Sequence, residues 1–229
     1  MGIRRGSITT PIIADGLVFN IDAANRASTI PSTNTTKTFN TVDTSISGSI
    51  ITDATWEAGS PPTFDFDGTD GKIETNFNSS NFTGLTVSNW VYRSTGGTHY
   101  LANQWVEGSA SDSAWGINTH VNKAYFFVRA GSSSPTIFGS STLNSEVWLN
   151  VCGVWDGSQI HVYVNGIADA APKTCTSMNN SSVNMSIGAS TNNEYYLNGN
   201  INNIHIYNRA LSAKEVLHNY NALKGRFGL

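Results

Sequence analysis

The sequence predicts an all-β fold, a two-sheet sandwich or jelly roll closed by one short C-terminal helix. Three observations predict it. Short segments in which apolar and polar residues alternate recur along the chain, separated by turns rich in Gly, Asn and Asp. Charged residues make up only 13% of the chain, about half the ~25% of an ordinary globular domain, and Ser, Thr, Asn and 21 Gly replace them. That exchange favours strands and turns over long helices. A single stretch near the end, LSAKEV from Leu211 to Val216, carries helix-start signals. The 229 residues suffice for one large sandwich and are short for two domains. A hydrophobic share of 39% with six Trp separates the chain from disordered sequences.

Residues 1–15 read as an extended arm punctuated by Pro11, and residues 16–229 as one domain. The run 17–21 is a first strand. Residues 25–50 are Ser/Thr/Asn-rich and read as a surface loop with one edge strand, anchored by Phe39 and Ile46. Phe64-Asp65-Phe66 leads into the turn 67–71, and Ile73 resumes a strand. Residues 85–92 alternate strongly, and 99–104, 114–118 and 124–129 are further short strands. Segments 147–155 and 159–164 form a hairpin through Asp156-Gly157, with Asn165-Gly166 as the next turn. Val147, Leu149, Val151 and Trp155 share one face, as do Ile160, Val162 and Val164, and both faces are predicted to point inward. Segments 183–188 and 201–207 complete the sheets. Ser212 caps a helix reaching about residue 223, with Glu215 as capping-box partner and Leu211 and Val216 as a hydrophobic staple. Gly225 is the expected C-cap.

Several function classes are set aside. The net charge is −3 with scattered basic residues, so no nucleic-acid footprint is present. No apolar run approaches the ~20 residues of a membrane span. The start, MGIRRGSITTPIIADG, lacks an apolar signal region, so no signal peptide is expected. Cys152 and Cys175 make no zinc site; two unpaired thiols are favoured, with a disulfide as the alternative. None of the six glutamates begins the alternating carboxylate run of a strand-borne glycosidase site. Asp65-Phe66-Asp67 has the spacing, but Gly68 and Gly71 mark it as turn chemistry. No Ser lies in a G-x-S-x-G elbow. His161 and His205 alternate with apolar neighbours and read as the outer face of the sheet.

Two binding chemistries remain open. Calcium takes six to eight oxygens, and Asp67, Thr69 and Asp70 flank a Gly turn that offers them, with Asp22 converging from the first strand. Trp90, Trp148 and Trp155 are expected in the core. Tyr100, Trp105, Trp115, Tyr195 and Tyr196, together with Trp56, lie nearer predicted loops. They either stack sugar rings, with Asn192, Asn193, Gln104 and Asn103 binding hydroxyls, or anchor loops and meet another chain.

Four segments in order resemble the concanavalin A-like, laminin-G-like jelly-roll superfamily: 64–70, 85–92, 148–166 and 199–216. The resemblance implies a concanavalin A-like sandwich. That fold carries lectins, hydrolases and structural modules alike. Relatives often place an Asp within the run matching Ile201-Asn202-Asn203-Ile204; here both candidates are Asn. The opening 15–25 and the ending 220–228 resemble laminin-G-like proteins of tailed, marine-type bacteriophages. This implies a non-enzymatic virion protein, made in the host cytoplasm, that decorates a capsid or forms a tail or fibre appendage. Arg4, Arg5 and Pro11 would then dock the arm onto a neighbouring capsid or tail protein, in a homo-oligomer. The alternatives are a lectin-like module that binds host-surface polysaccharide and, last, a glycoside hydrolase.

Overall fold

The computed structural model describes residues 11–30, 36–51, 53–106 and 108–229. Its strands begin with β1 (Leu17–Asp22), β2 (Lys37–Phe39), β3 (Ser47–Ile51), β4 (Thr55–Glu57), β5 (Thr63–Asp67) and β6 (Lys72–Thr75). They continue as β7 (Leu85–Arg93), β8 (His99–Gln104), β9 (Trp115–His120), β10 (Lys123–Val128), β11 (Thr136–Phe138) and β12 (Trp148–Trp155). The last are β13 (Gln159–Val164), β14 (Ile167–Ala168), β15 (Lys173–Thr174), β16 (Ser186–Ile187) and β17 (Asn198–Tyr207). Helix α1 (Ala213–Leu223) and a 3-10 turn at Lys224–Phe227 end the chain.

Among the described residues these strands form two antiparallel sheets packed as a sandwich. A nine-stranded sheet runs β14-β13-β12-β7-β17-β5-β4, with β1 beside β17 and β15 beside β13. The facing sheet runs β11-β10-β9-β8-β16-β6-β3-β2. Strand alternation sends Leu85, Val87 and Val91 of β7, and Leu149, Val151 and Trp155 of β12, into the space between them. Trp115 and Ile117 of β9 and Ala124, Phe126 and Val128 of β10 meet them from the other side. Val147 stands just before β12 and is exposed.

The stretch expected as a surface loop departs from expectation. It supplies two strands, and Ser28, Thr29, Thr38 and Asn40 are fully buried. The Ser28 hydroxyl donates to the Phe39 carbonyl at 2.8 Å, and the Asn40 amide donates to the Val18 carbonyl at 3.0 Å. Polar groups that satisfy one another pack as a core without an apolar pattern.

α1 and the 3-10 turn cover the outer face of the nine-stranded sheet. The Ser212–Glu215 capping box is present as predicted. Leu211 and Val216 join Cys152, Val154, Tyr163 and Tyr207 in a second apolar cluster beneath the helix. The helix does not stop at Gly225; it tightens into the 3-10 turn, and Gly228 (φ 74°) ends it. Trp90 lies on this covered face, stacked on Phe227 (4.0 Å, 14°) and Tyr220 (5.5 Å). Trp148 is half-buried beside Phe227 at 4.8 Å, outside the main core in which it was expected. The two thiols are free and buried, Cys152 under the helix and Cys175 in the main core. Burial pushes the Cys152 thiol up to about 12.

His205 also faces outward from the sandwich, yet the tail buries it. Burial lowers its pKa from 6.5 to about 4; Asp22 acts weakly upward and Arg226 weakly downward. The unfolded chain takes up this proton at the ordinary value, so stability is full above pH 6.5 and falls as pH drops toward 4. The expected loss is about 3 kcal/mol, and it is expected to vanish from that window in His205→Gln. Urea melts from pH 7 to 4 measure it, and an unchanged slope in the variant would contradict this assignment.

Candidate functional site

With one outer face covered by the tail, the outer face of the eight-stranded sheet carries the remaining chemistry. Alternation along β10 sends Ala124, Phe126 and Val128 inward and leaves Lys123, Tyr125 and Phe127 outward. On β9, Trp115 and Ile117 go inward, and Gly116, Asn118 and His120 go outward. A bulge between Tyr100 and Ala102 shifts the phase of β8. It places Tyr100 opposite Asn118 and Asn103 opposite Gly116, both on the outer face.

The outward rings touch in sequence. Trp105 meets Phe127 edge-on at 4.6 Å, Phe127 meets Tyr125 at 5.0 Å, and Tyr125 meets Phe138 at 4.5 Å. Tyr100 joins Phe127 at 6.1 Å and Tyr195 at 5.7 Å; His120 joins Phe138 at 5.6 Å. A side chain at Gly116 would run into the Phe127 ring, so this ring lies across β9 only because residue 116 is glycine. Phe138 is 47% and Tyr195 50% exposed, while Tyr100 is 4% exposed beneath them. Tyr195 and Asn193 both adopt left-handed backbone (φ 54° and 64°), which is uncommon outside glycine and costs free energy that the loop 190–196 must offset.

A polar row runs beside the rings. Glu74, Ser186, Asn103 and Gly116 stand opposite one another across β6, β16, β8 and β9. The Asn103 amide donates to the Ala189 carbonyl at 2.7 Å, but Asn103 Oδ1, Asn118 Oδ1 and Ser186 Oγ are buried with no hydrogen-bond partner. Buried polar atoms are rarely left so. A cleft of about 360 Å³ opens here, lined by Glu74, Val106, Ser186, Thr191 and Asn192 among others. At its margin Lys72 donates to Asn193 Oδ1 (2.5 Å) and pairs with Glu74 (2.6 Å).

The structure thus brings together Tyr100, Trp105, Tyr195 and Asn193 of the residues singled out from sequence. Tyr196 is half-buried beside them, its carbonyl accepting from His99 Nδ1 at 2.9 Å. Trp115 is a correction. It is 0% exposed on the inner face, and its Nε1 donates to Ser79 Oγ (2.8 Å) and Gln104 Oε1 (3.0 Å). Gln104 is likewise interior: it follows the outward Asn103 in the strand and stands opposite the inward Trp115. The sequence reading missed Tyr125, Phe127 and Phe138. Their signal was present: Tyr125 and Phe127 alternate out of phase with Ala124, Phe126 and Val128.

The expected calcium ligands are regrouped. Asp22 pairs with Arg226 at 2.8 Å and stands opposite Asn203 on β17, whereas Asp67 stands opposite Asn198. Five residues of strand, roughly 16 Å, separate those positions. Asp53 takes its place: single carboxylate oxygens of Asp53, Asp67 and Asp70 lie within 4.8 Å of one another. Asp67 Oδ1 accepts the amides of Thr69 (2.8 Å), Asp70 (3.3 Å) and Gly71 (3.4 Å), and the turn holds its pKa down. Desolvation, with Asp53 and Asp67 nearby, raises that of Asp70. This all-oxygen, acidic set fits a hard cation of the calcium class.

Asn202 does what an Asp there could not. Its Oδ1 accepts from Arg226 (2.7 Å) while its Nδ2 donates to the Pro62 carbonyl (2.6 Å). Arg4 and Arg5 lie outside the described residues. The Pro11 carbonyl accepts from His218 Nε2 at 2.9 Å, and the Ile13 amide donates to Asn219 Oδ1 at 2.8 Å, so the chain around Pro11 is stitched to α1.

Among known proteins, several solved structures share this fold. The binding domain of botulinum neurotoxin DC, solved in complex with SialylT, superposes with a TM-score of 0.68 at 14% identity, over 91% of this chain and 52% of that one. The binding domain of Paraclostridial Mosquitocidal Protein 1 gives 0.68 at 17% identity, over 90% and 52%. A structure of botulinum neurotoxin type C, whose cell entry depends on two ganglioside molecules, gives 0.67 at 13% identity, over 91% and 51%. The chain spans about half the length of these structures, and at such identities the likeness is one of fold. No curated protein sequence matches it. A laminin G family model, described as the concanavalin A-like lectin/glucanases superfamily, matches residues 67–217. That match covers more than half the sequence, includes the β7–β17 centre of the nine-stranded sheet, and agrees with the two-sheet architecture; the chain belongs to the concanavalin A-like lectin/glucanases superfamily.

Proposed function

We propose that this chain is a non-enzymatic, lectin-like carbohydrate-binding module whose ligand lies along the outer face of the eight-stranded sheet. The observation that carries this reading is the run Trp105–Phe127–Tyr125–Phe138, in steps of 4.6, 5.0 and 4.5 Å, in which Phe127, 2% exposed, backs the half-buried Trp105 and Tyr125 rings and Phe138 is exposed. The C–H faces of sugars pack on aromatic rings, and sugar hydroxyls need donors and acceptors beside those rings. The adjoining cleft, lined by Glu74, Ser186, Thr191 and Asn192 among others, supplies them. The binding domains of similar fold described above support a recognition role.

Trp105→Ala tests it. Trp105 is half-buried, and truncating such an aromatic anchor is expected to weaken glycan retention by about 2 kcal/mol, roughly thirty-fold. A glycan array followed by calorimetry on the retained sugar measures this, with the melting temperature as the control for folding. Undiminished retention by the variant would count against the stripe.

We further propose that the module is displayed on a bacteriophage particle, bound to a capsid or tail protein. The support is the resemblance of segments 15–25 and 220–228 to phage proteins. These two segments form one unit in the fold, joined by the Asp22–Arg226 pair. Immunogold labelling of particles is expected to mark head or tail, and unlabelled particles would refute the placement.

A further inference from the structure

We infer that the glycan is acidic, and that Arg129 takes a sugar carboxylate beside the Trp105 ring. This rests on the glycan-binding reading of the same face. The outward positions of β10, continued by one step, read Lys123, Tyr125, Phe127, Arg129. Two cations therefore bracket two rings, roughly 20 Å apart along an extended strand. Neither lies within ion-pair distance of a carboxylate among the described residues. Lys123 Nζ donates to the Ser140 carbonyl and to Thr142 Oγ1 (3.5 Å). The carboxylate of Asp169, which neighbours that turn, is held by Ser141. By contrast Lys72, on the same face, is neutralised by Glu74.

Arg129 is the better-built of the two. Its Cζ lies over the Trp105 ring, 5.4 Å from the centroid, so the guanidinium and the first ring of the stripe form one surface. Nη1 donates to Ser134 Oγ at 2.5 Å, which orients the plane. Nε is buried without a partner, and so is the neighbouring Trp105 Nε1. The Nε–Nη2 edge is a fork of parallel donors, the geometry that matches a planar carboxylate in two hydrogen bonds. A guanidinium partly withdrawn from water, oriented, and with no carboxylate in ion-pair distance among the described residues is matched by a ligand that brings one. The carboxylate of a uronic-acid unit whose ring stacks on Trp105 meets both requirements. Lys123 then meets a second acidic unit at the other end of the rings, as a point charge.

The full chain is applied to immobilised alginate, polygalacturonate and hyaluronan, each beside its carboxyl-reduced form, with dextran and dextran sulfate added. At least one carboxylated polymer is expected to bind at least tenfold more tightly than its reduced form, and salt is expected to weaken only the former. Arg129→Gln is expected to bring that ratio close to one, and Lys123→Gln to lower it less. Equal retention of a polymer and its reduced form overturns the acidic-ligand inference and leaves the glycan-binding reading standing. Retention of dextran sulfate without any carboxylated polymer overturns the carboxylate assignment. A ratio that survives Arg129→Gln overturns the role of Arg129. If no polymer is retained, the glycan-binding reading falls and this inference falls with it.

Discussion

Trp115→Ala is expected to destabilise the fold by about 3–5 kcal/mol, the cost of emptying a large aromatic site in a packed core. The indole is 0% exposed and packs inside the main apolar cluster. Its Nε1 also closes a buried network with Ser79 Oγ and Gln104 Oε1. Chemical denaturation is the measurement, and a loss below about 1 kcal/mol would show that the site collapses around the missing ring. The comparison with Trp105→Ala is the informative one. Two tryptophans ten residues apart are expected to separate cleanly, one governing stability and the other ligand retention. Loss of glycan binding in Trp115→Ala is expected only in proportion to the unfolded fraction.

Trp90→Ala is expected to cost a similar 3–5 kcal/mol, through a different part of the molecule. Trp90 is fully buried, yet it lies outside the space between the sheets, with Phe227 at 4.0 Å and Tyr220 at 5.5 Å. These nearly parallel rings hold the C-terminal segment against β7. Removing the indole is therefore expected to make the chain after Tyr207 sensitive to limited proteolysis before the sandwich itself unfolds. A double-mutant cycle with Phe227→Ala is expected to show a coupling of about 1 kcal/mol, the typical value of an aromatic pair beyond its burial. Additive effects in that cycle, with an uncut tail, would mean that the stacking does not hold the helix.

The two tryptophans also show where sequence reasoning worked. The strand segments around Trp90 and Trp115 are visible in alternation, and the helix start at Ser212 is visible in its capping box. Those signals are local, needing only a few neighbouring residues. Which side of a strand faces the core is less local. In β8 the bulge at Leu101 sends Tyr100 and Ala102 to opposite faces, although strict alternation would put them on the same one. In β17 a bulge at Asn202 does the same, so Ile201 and Ile204 both reach the core at a spacing of three. One inserted residue thus reverses every inward and outward assignment beyond it.

Of the candidate face, Tyr100, Trp105, Asn193 and Tyr195 were legible as aromatic and amide residues, but their convergence was not. Phe127 reaches Trp105 because Gly116 leaves room across β9, a condition written in a different strand from either ring. Asp53 reaches Asp67 and Asp70 across the turn between strands of different sheets, while Asp22 is drawn away by Arg226 from the far end of the chain. Contacts of this kind depend on strand order and register.

By itself, then, the sequence determined the two-sheet architecture, the hairpin at Asp156-Gly157 and the capped helix. Period-two hydrophobicity, turn chemistry and helix capping each act over a few residues, so they are readable without the rest of the chain. The tertiary structure alone decided that Trp115 is core and Trp105 is surface, that the tail buries His205 and Trp90, and that the outer face of the eight-stranded sheet remains uncovered by the helix. Those outcomes follow from bulges and from the packing of distant segments, which set the burial of each side chain only once the two sheets and the helix are in contact.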